Sequence, residues 1–267
     1  MLTAGRGRVA VAGVLAFITA LLMPAPASSQ PGPPETRIGW GTEAKSGAWP
    51  SMAALLVHTN PDNYHAFFCG ATVVSSRWVL TSASCVQNRS AAKVDVLVGT
   101  QDLRSGGRRI AVTAIRFHPQ WNRHTLNNDF ALLKLARSTA ARPQALGTQT
   151  VTDHTGAVTT GWGVIKWYPL TFPTKLWQGA VDTNTNAWCM FEYGSIFNPS
   201  TMLCLSARSH GSPWTGDGGG PLLVSRNGLW TQVGVLSWGF TARNPSGDPV
   251  YARVADAAPW IRQTIQG

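Results

Sequence analysis

Residues 69–85 read CGATVVSSRWVLTSASC, and this stretch decides the fold class. It holds two short runs of β-branched and apolar residues, 71–74 (ATVV) and 78–81 (WVLT), separated by Ser75, Ser76 and Arg77. Short runs of this composition, bounded by turn-forming residues, are typical of β-strands. The segment therefore predicts two successive strands in a β-rich fold.

Similar runs recur on both sides of this segment. They cover residues 53–57, 94–98, 110–115 and 130–135 and, after a loop-like stretch at 138–147, residues 157–160, 221–224, 231–237 and 250–254. Short strands at this spacing favour an all-β barrel or sandwich. Only the end of the chain is expected to be helical, because Asp256 is a suitable N-cap and Trp260, Ile261 and Ile265 share one helix face.

The composition excludes several other classes of protein. The chain has 267 residues, of which 44% are hydrophobic and only 13% are charged, with 27 Gly and 17 Pro. Disordered chains, coiled coils and long helical bundles contain more charge and less glycine than this. The net charge of +10 at pH 7 concerns solubility and anionic partners rather than the fold.

The N-terminus has the pattern of a secretory signal. Arg6 and Arg8 precede an apolar run at residues 9–23, and the small residues at 25–27 (APA) suit signal peptidase. We expect residues 1–29 to be removed, residues 30–37 to be a Pro-rich linker or short propeptide, and the protein to be secreted and extracellular. An uncleaved membrane anchor is the alternative, although the run is short for a span. No later stretch approaches the length of a transmembrane segment, so none is expected in the mature protein.

The four cysteines, Cys69, Cys85, Cys189 and Cys204, predict disulfides in an oxidising compartment. Sequence alone allows three pairings, and the spacing favours Cys69–Cys85 with Cys189–Cys204. A zinc site is the competing interpretation. The chain has neither a C-x-x-C pair nor histidines at ligand spacing, so we expect no metal and no cofactor.

A series of short motifs suggests a family. In chain order they are Arg37-Ile38, residues 69–74 and 78–85, residues 128–135 (NDFALLKL), Gly161-Trp162-Gly163, residues 202–204 (MLC), residues 216–221 (GDGGGP), Ser237-Trp238-Gly239 and residues 250–254 (VYARV). With these motifs the chain resembles the chymotrypsin/trypsin family of serine proteases from Arg37 to its final helix. The resemblance implies an all-β fold with two six-stranded antiparallel barrels, about 38–137 and 148–254, a cleft between them and a C-terminal helix at about 256–266.

The resemblance also implies where catalytic residues should stand, and two of the three are replaced. Ser84 occupies the position of the histidine and Gly218 that of the nucleophilic serine, whereas Asp129 is retained. Glycine has no atom to attack a carbonyl, and a serine hydroxyl is not a base at neutral pH. We therefore expect a pseudoprotease that does not hydrolyse peptides. The alternative is a serine endopeptidase with residual activity or a relocated catalytic group, for which His210 and Ser212 are the nearest candidates.

Other features of the family's site are partly retained. Asp217 could still receive the new N-terminal amine of Ile38 after cleavage, although Trp40 stands where the family has glycine. The amides of Gly216 and Gly218 would form a nest resembling an oxyanion hole. By the resemblance, the specificity pocket and peptide groove would include Ser212, Ser237, Trp238 and Gly239.

Partners follow from the cleft and from the charge. The cleft would bind a peptide or protein, in one version as a regulator that competes with active proteases for substrate or inhibitor. Residues 86–142 hold ten basic and three acidic side chains, and Arg104, Arg108 and Arg109 form a basic cluster for an anionic glycan, lipid or cell-wall polymer. The alternative is a solvated face without a ligand. Nucleic acid is not favoured, because no reading module accompanies the charge.

Overall fold

The computed structural model describes residues 1–2, 41–151, 153–166, 169–206, 211–239 and 247–267. The chain divides into two units, residues 1–34 and 35–267, and the fold described below belongs to the second. Ile38, His210 and all but the first two residues of the expected signal lie outside the described residues.

The first barrel is closed by hydrogen bonding around its full circumference. A short strand, β1 (Thr42–Glu43), precedes it. Its own strands are β2 (Met52–Val57), β3 (Phe67–Ser75), β4 (Trp78–Thr81), β5 (Val94–Val98), β6 (Arg108–Phe117) and β7 (Ala131–Leu135), in the order β2-β3-β4-β7-β6-β5. Two four-residue helices, α1 (Asn63–Ala66) and α2 (Ala83–Val86), and a 3-10 turn (Ala91–Lys93) connect them. The segment 69–85 thus supplies most of β3, all of β4 and the start of α2.

The second barrel is built from the following strands. They are β8 (Ala145–Leu146), β9 (Gly156–Gly161), β10 (Trp177–Asp182), β11 (Met202–Cys204), β12 (Pro221–Arg226), β13 (Leu229–Trp238) and β14 (Val250–Arg253). Six of them run in the order β10-β9-β12-β13-β14-β11, with β1 beside β10 and β8 parallel to β13. In the part of the chain that the structure describes, the two ends of this order meet at one bridge, between Thr183 and Leu205. The all-β, double-barrel fold class is confirmed, with the second barrel less completely closed than the first.

The helical prediction needs two corrections. The final helix, α4 (Val254–Gln266), begins after Arg253 as N-cap, so Asp256 lies in the first turn, where a carboxylate still favours the helix dipole. Ile261 is buried and Trp260 and Ile265 are partly buried in one cluster, as expected for one face. The sequence also does not predict the two four-residue helices, α1 and α2, or the longer α3 (Asn186–Tyr193), which is followed by a 3-10 turn at Gly194–Ile196. Because α3 buries only Cys189, its sequence carries no apolar periodicity.

The two barrels share apolar clusters, and one of them joins β4 and β7 to β13 and β14. Leu80 of β4 and Leu132 of β7 pack in it with Val235 of β13 and Ala252 of β14, and all four side chains are almost fully buried. Burial of this kind stabilises the arrangement in proportion to the apolar area removed from water. The cluster therefore fixes the strand ends of the two barrels that carry the candidate site.

The disulfides of the structure are Cys69–Cys85 and Cys189–Cys204, which is the pairing that the spacing favours. The first joins β3 to α2, and the second joins α3 to β11. Within the described residues, no helix is long and apolar enough to cross a membrane. The same part of the chain contains no group of three or more His, Cys, Asp or Glu side chains placed to hold a metal ion.

Candidate functional site

Asp129 is the centre of the site and is fully buried two residues before β7. Its Oδ1 accepts a hydrogen bond from the backbone N–H of Ser84 at 2.8 Å. Its Oδ2 accepts from the Ser84 hydroxyl at 2.8 Å and from the Ser237 hydroxyl at 2.5 Å. Ser84 comes from α2 of the first barrel and Ser237 from the end of β13 in the second. The carboxylate therefore joins the two barrels through two serine side chains.

Burial raises the pKa of Asp129 from 3.8 to about 6, because the ionised form loses its hydration. The hydrogen bonds from Ser237 and Ser84 act in the opposite direction and limit the rise. At pH 7 the group is therefore mainly ionised, with its charge held by two hydroxyls and an amide. Among the described residues, no histidine side chain bonds to it. The arrangement can orient two hydroxyl groups but contains no imidazole to move a proton.

Gly218 lies against the first disulfide, between Asp217 and the turn into β12. Its carbonyl accepts from the N–H of Gly70 at 2.8 Å, which ties the segment to β3. A Cβ added at Gly218 would lie 3.5 Å from Cys85 Sγ and 3.7 Å from Cys69 Sγ, an ordinary van der Waals separation. The backbone at this position thus has room for a side chain beside α2, which carries Ser84.

Asp217 is buried and holds the neighbouring loops together. Its Oδ1 accepts from the N–H of Gly163 and its Oδ2 from the N–H of Trp214, each at 2.7 Å. Burial raises its pKa to about 6, and these two bonds reduce that rise. A Cβ at Gly161 or Gly163 would overlap the carboxylate, so glycine is required on both sides of Trp162. Because Ile38 lies outside the described residues, its pairing with Asp217 stays a prediction.

The structure describes the residues that are expected in the specificity pocket and the peptide groove. Gly216 has φ +98°, and a Cβ there would lie 2.9 Å from the ring of Phe172. Ser212 Oγ and Trp238 Nε1 are buried and have no hydrogen-bond partner within the described part of the chain. Gly239 has φ +126°, and residues 240–246 after it lie outside the described residues. The role of these residues in a pocket therefore also stays a prediction.

The sequence did not indicate an acidic cluster behind Trp238. Asp248 Oδ2 accepts from Trp188 Nε1 at 2.9 Å and from Asn184 Nδ2 at 3.1 Å, and Glu192 Oε1 accepts from the Asp248 N–H at 3.3 Å. Burial, followed by the nearby charge of Asp248, raises the pKa of Glu192. The cluster attaches α3 to the start of β14. Since α3 itself had no sequence signal, neither did this cluster.

The three arginines of the basic cluster have different surroundings. Arg109 pairs with buried Asp95 at 2.7 Å and also donates to the carbonyls of Val57 and Asn60. The Arg104 guanidinium lies 4.6 Å from the centre of the Tyr64 ring, which is a cation–π distance. Arg108 is exposed, and within the described residues its side chain donates one long hydrogen bond, 3.4 Å, to the Ser138 carbonyl. Arg109 is therefore part of the barrel wall, whereas Arg104 and Arg108 are exposed on its surface.

Comparisons with known proteins agree with this geometry. The family model described as Trypsin matches residues 38–261. Among solved structures, this chain is similar to the VesB protease of Vibrio cholerae, with 31% sequence identity and a TM-score of 0.71. The match covers 83% of this chain and 65% of the VesB chain, so this chain spans just under two thirds of that protein's length. Taken with the double barrel and the buried aspartate between its halves, the match to the family model means that the chain belongs to the trypsin family.

Proposed function

We propose that this chain is a secreted trypsin-family pseudoprotease whose cleft binds peptides without hydrolysing them. The observation that carries the proposal is the set of bonds to Asp129. Ser84 stands at the position where the resemblance to the family implies a histidine. It bonds to both carboxylate oxygens of Asp129, through its N–H and its hydroxyl. Gly218, at the expected position of the nucleophile, has no side chain at all.

The chemistry of acyl transfer explains why both replacements matter. A serine hydroxyl attacks a carbonyl only when a base takes its proton, and histidine is that base because its pKa lies near neutrality. A carboxylate with a pKa of about 6 is too weak a base to ionise the Ser84 hydroxyl. Loss of the nucleophile or base in such a triad lowers turnover by roughly 10⁶. A change in the pKa of a neighbouring group does not restore the lost turnover.

Peptide binding is supported by backbone groups that survive the replacements. Neither the N–H of Gly216 nor that of Gly218 donates a hydrogen bond to another described residue. Such amides bind a carbonyl oxygen or a carboxylate. The end of β13, with Ser237, Trp238 and then Gly239, is the part to which an extended peptide would add as a further strand. A protein of this kind would act as a regulator by competing with active proteases for a substrate or an inhibitor.

Secretion is supported by the leader pattern and by the disulfides. Cys69–Cys85 and Cys189–Cys204 would persist in an oxidising compartment and would be reduced in most cytosols. We expect the secreted protein to begin near Gln30, and its intact mass measures this directly. Secretion with residues 1–29 still attached would contradict a cleaved leader.

The test of the function compares the natural chain with the double variant Ser84→His, Gly218→Ser on a broad peptide library. Both proteins are first cleaved between Arg37 and Ile38, so that an uncleaved N-terminus does not conceal activity. The natural chain should be silent and the variant should cleave, because a Cβ at Gly218 meets only ordinary van der Waals contacts and histidine restores the base. Gly218→Ala, purified in the same way, measures contaminating protease.

Three results have distinct meanings. Cleavage by the natural chain above the Gly218→Ala background would contradict the proposal. If neither the natural chain nor the double variant cleaves the library, peptide binding is measured by fluorescence anisotropy with labelled library peptides. If no peptide bound there, the proposed role of the cleft would be wrong.

A further inference from the structure

A cavity of about 890 Å³ opens on the first barrel, away from the residues of the cleft. Four segments form it: residues 46–50 before β2, 98–101 at the end of β5 and after it, 107–108 at the start of β6, and 139–142 between β7 and β8. None of these segments contains Ser84, Asp129 or Gly218. The volume is within the range of sites that hold a small ligand, roughly 300–1,000 Å³.

The charge in this cavity is of one sign. Its lining includes Arg108 and Arg142, both exposed, and no acidic side chain. Within the described residues, neither guanidinium lies within ion-pair distance of a carboxylate, whereas the adjacent Arg109 is paired with Asp95. Two guanidinium groups that share a concave surface without a counter-charge attract an anion. Their planar donors match the oxygen atoms of sulfate and phosphate groups.

The rest of the lining suits the other parts of a sugar. Pro50 and Ala140 line the cavity and are exposed, so they give the wall an apolar surface against which the C–H face of a ring can pack. The hydroxyl of Thr139 accepts a hydrogen bond from the N–H of Ala141 at 3.0 Å, so its proton is available to a ligand hydroxyl. Ser46 supplies a second hydroxyl. A single inorganic ion would leave most of the volume and all of this apolar wall without contacts.

The geometry points to a binding site for a sulfated or phosphorylated saccharide in this cavity. Arg108 and Arg142 bind the ester oxyanions, the hydroxyl groups bind sugar hydroxyls, and the apolar wall contacts a ring. The site goes beyond the proposed peptide-binding function, because it uses none of the residues of the cleft. It shares Arg108 with the basic cluster but uses Arg142 in place of Arg109, whose side chain is paired with Asp95 within the barrel.

Isothermal titration of the full chain with two compounds tests the site. Sucrose octasulfate supplies sulfate esters and myo-inositol hexakisphosphate supplies phosphate esters, and unmodified sucrose is the neutral control. We expect binding of at least one polyanion and none of sucrose. Arg108→Gln and Arg142→Gln should each weaken binding about tenfold or more, the loss expected for a charged hydrogen bond. The ester that binds more tightly identifies the source of the oxyanion.

Two further variants separate a built site from general attraction by a basic protein. Arg116→Gln removes an exposed charge on the same strand β6 but outside the cavity, and it should change the affinity less than twofold. Ala140→Trp fills the cavity from an exposed position without changing the charge, and it should abolish binding. The proposal would be overturned if Arg116→Gln weakened binding as much as Arg108→Gln does, or if Ala140→Trp left binding unchanged. It would also be overturned if neither polyanion bound. Equal affinity for a single-stranded oligonucleotide, with the same dependence on Arg108, would overturn it as well.

Discussion

Replacing Asp129 with asparagine tests how the buried carboxylate is held. The amide oxygen of asparagine can accept from the Ser84 N–H in place of Oδ1. Its NH₂ group can donate to the hydroxyls of Ser84 and Ser237, which then accept instead of donating. Asp129→Asn therefore removes a buried charge and keeps three hydrogen bonds at this position, while the Ser84 proton can turn to Ser82 Oγ and the partly exposed Ser237 hydroxyl can turn to solvent. In an active protease the same change would destroy function, but here we expect no activity to lose.

The size of the effect follows from the pKa of Asp129, which rises from 3.8 to about 6 on folding. A raised pKa means that the folded chain binds the proton more tightly than the unfolded chain. The free energy of unfolding then falls as the pH rises between the two values, and it is constant above the higher one. A shift of about two units corresponds to about 3 kcal/mol at neutral pH. The variant Asp129→Asn does not ionise at this position, so it does not lose this free energy of unfolding.

Urea unfolding of the natural chain and Asp129→Asn from pH 4 to pH 8, with disulfides intact, measures this difference. The stability of the variant relative to the natural chain should increase by about 2–3 kcal/mol over that range, with most of the change between pH 4 and pH 6. Asp217, whose pKa is also raised to about 6, titrates alike in both proteins and cancels. A difference that does not depend on pH, or one that falls as pH rises, would refute the argument.

Two further predictions concern packing and an ion pair, and both are measured by urea unfolding at pH 7. Gly218→Ala should change stability by less than about 0.5 kcal/mol, whereas Gly161→Ala, which drives a methyl group into the Asp217 carboxylate, should cost about 3 kcal/mol or more. If the two changes altered stability equally, the difference in free space between Gly218 and Gly161 would be wrong. Asp95→Asn should cost about 3 kcal/mol, because Arg109 keeps a partly buried charge without its partner. A loss under about 1 kcal/mol would mean that the pair is effectively solvated.

The strands that the sequence predicts best are those that are buried along their whole length and consist mainly of apolar residues. The bounds expected for β4 and β5 match the structure, because WVLT and VDVLV are buried throughout. The sequence does not predict strand β10, although its burial alternates regularly, since one of its inward residues is Gly179. The backbone of Gly211 lies so close that a Cβ at Gly179 would overlap it. A glycine required by such an approach removes the apolar signal that marks a strand.

The sequence identified the residues of the candidate site more completely than their contacts. Ser84, Asp129 and Gly218 were named from motifs, and the structure brings Ser84 against Asp129. The bond from Ser237 was not foreseen, because it joins residues 108 positions apart in different barrels. Arg109 shows the limit of counting charges. Its side chain reaches back to Asp95, and residue counts do not distinguish a paired arginine from a free one.

The central claim is that the cleft contains no activated nucleophile. The most direct measurement is the intact mass of the full chain, cleaved between Arg37 and Ile38, after incubation with a serine-directed phosphonate. We predict an unchanged mass for the natural chain and one adduct for the variant Ser84→His, Gly218→Ser. A stoichiometric adduct on any serine of the natural chain would contradict the claim and would identify the nucleophile of an active protease.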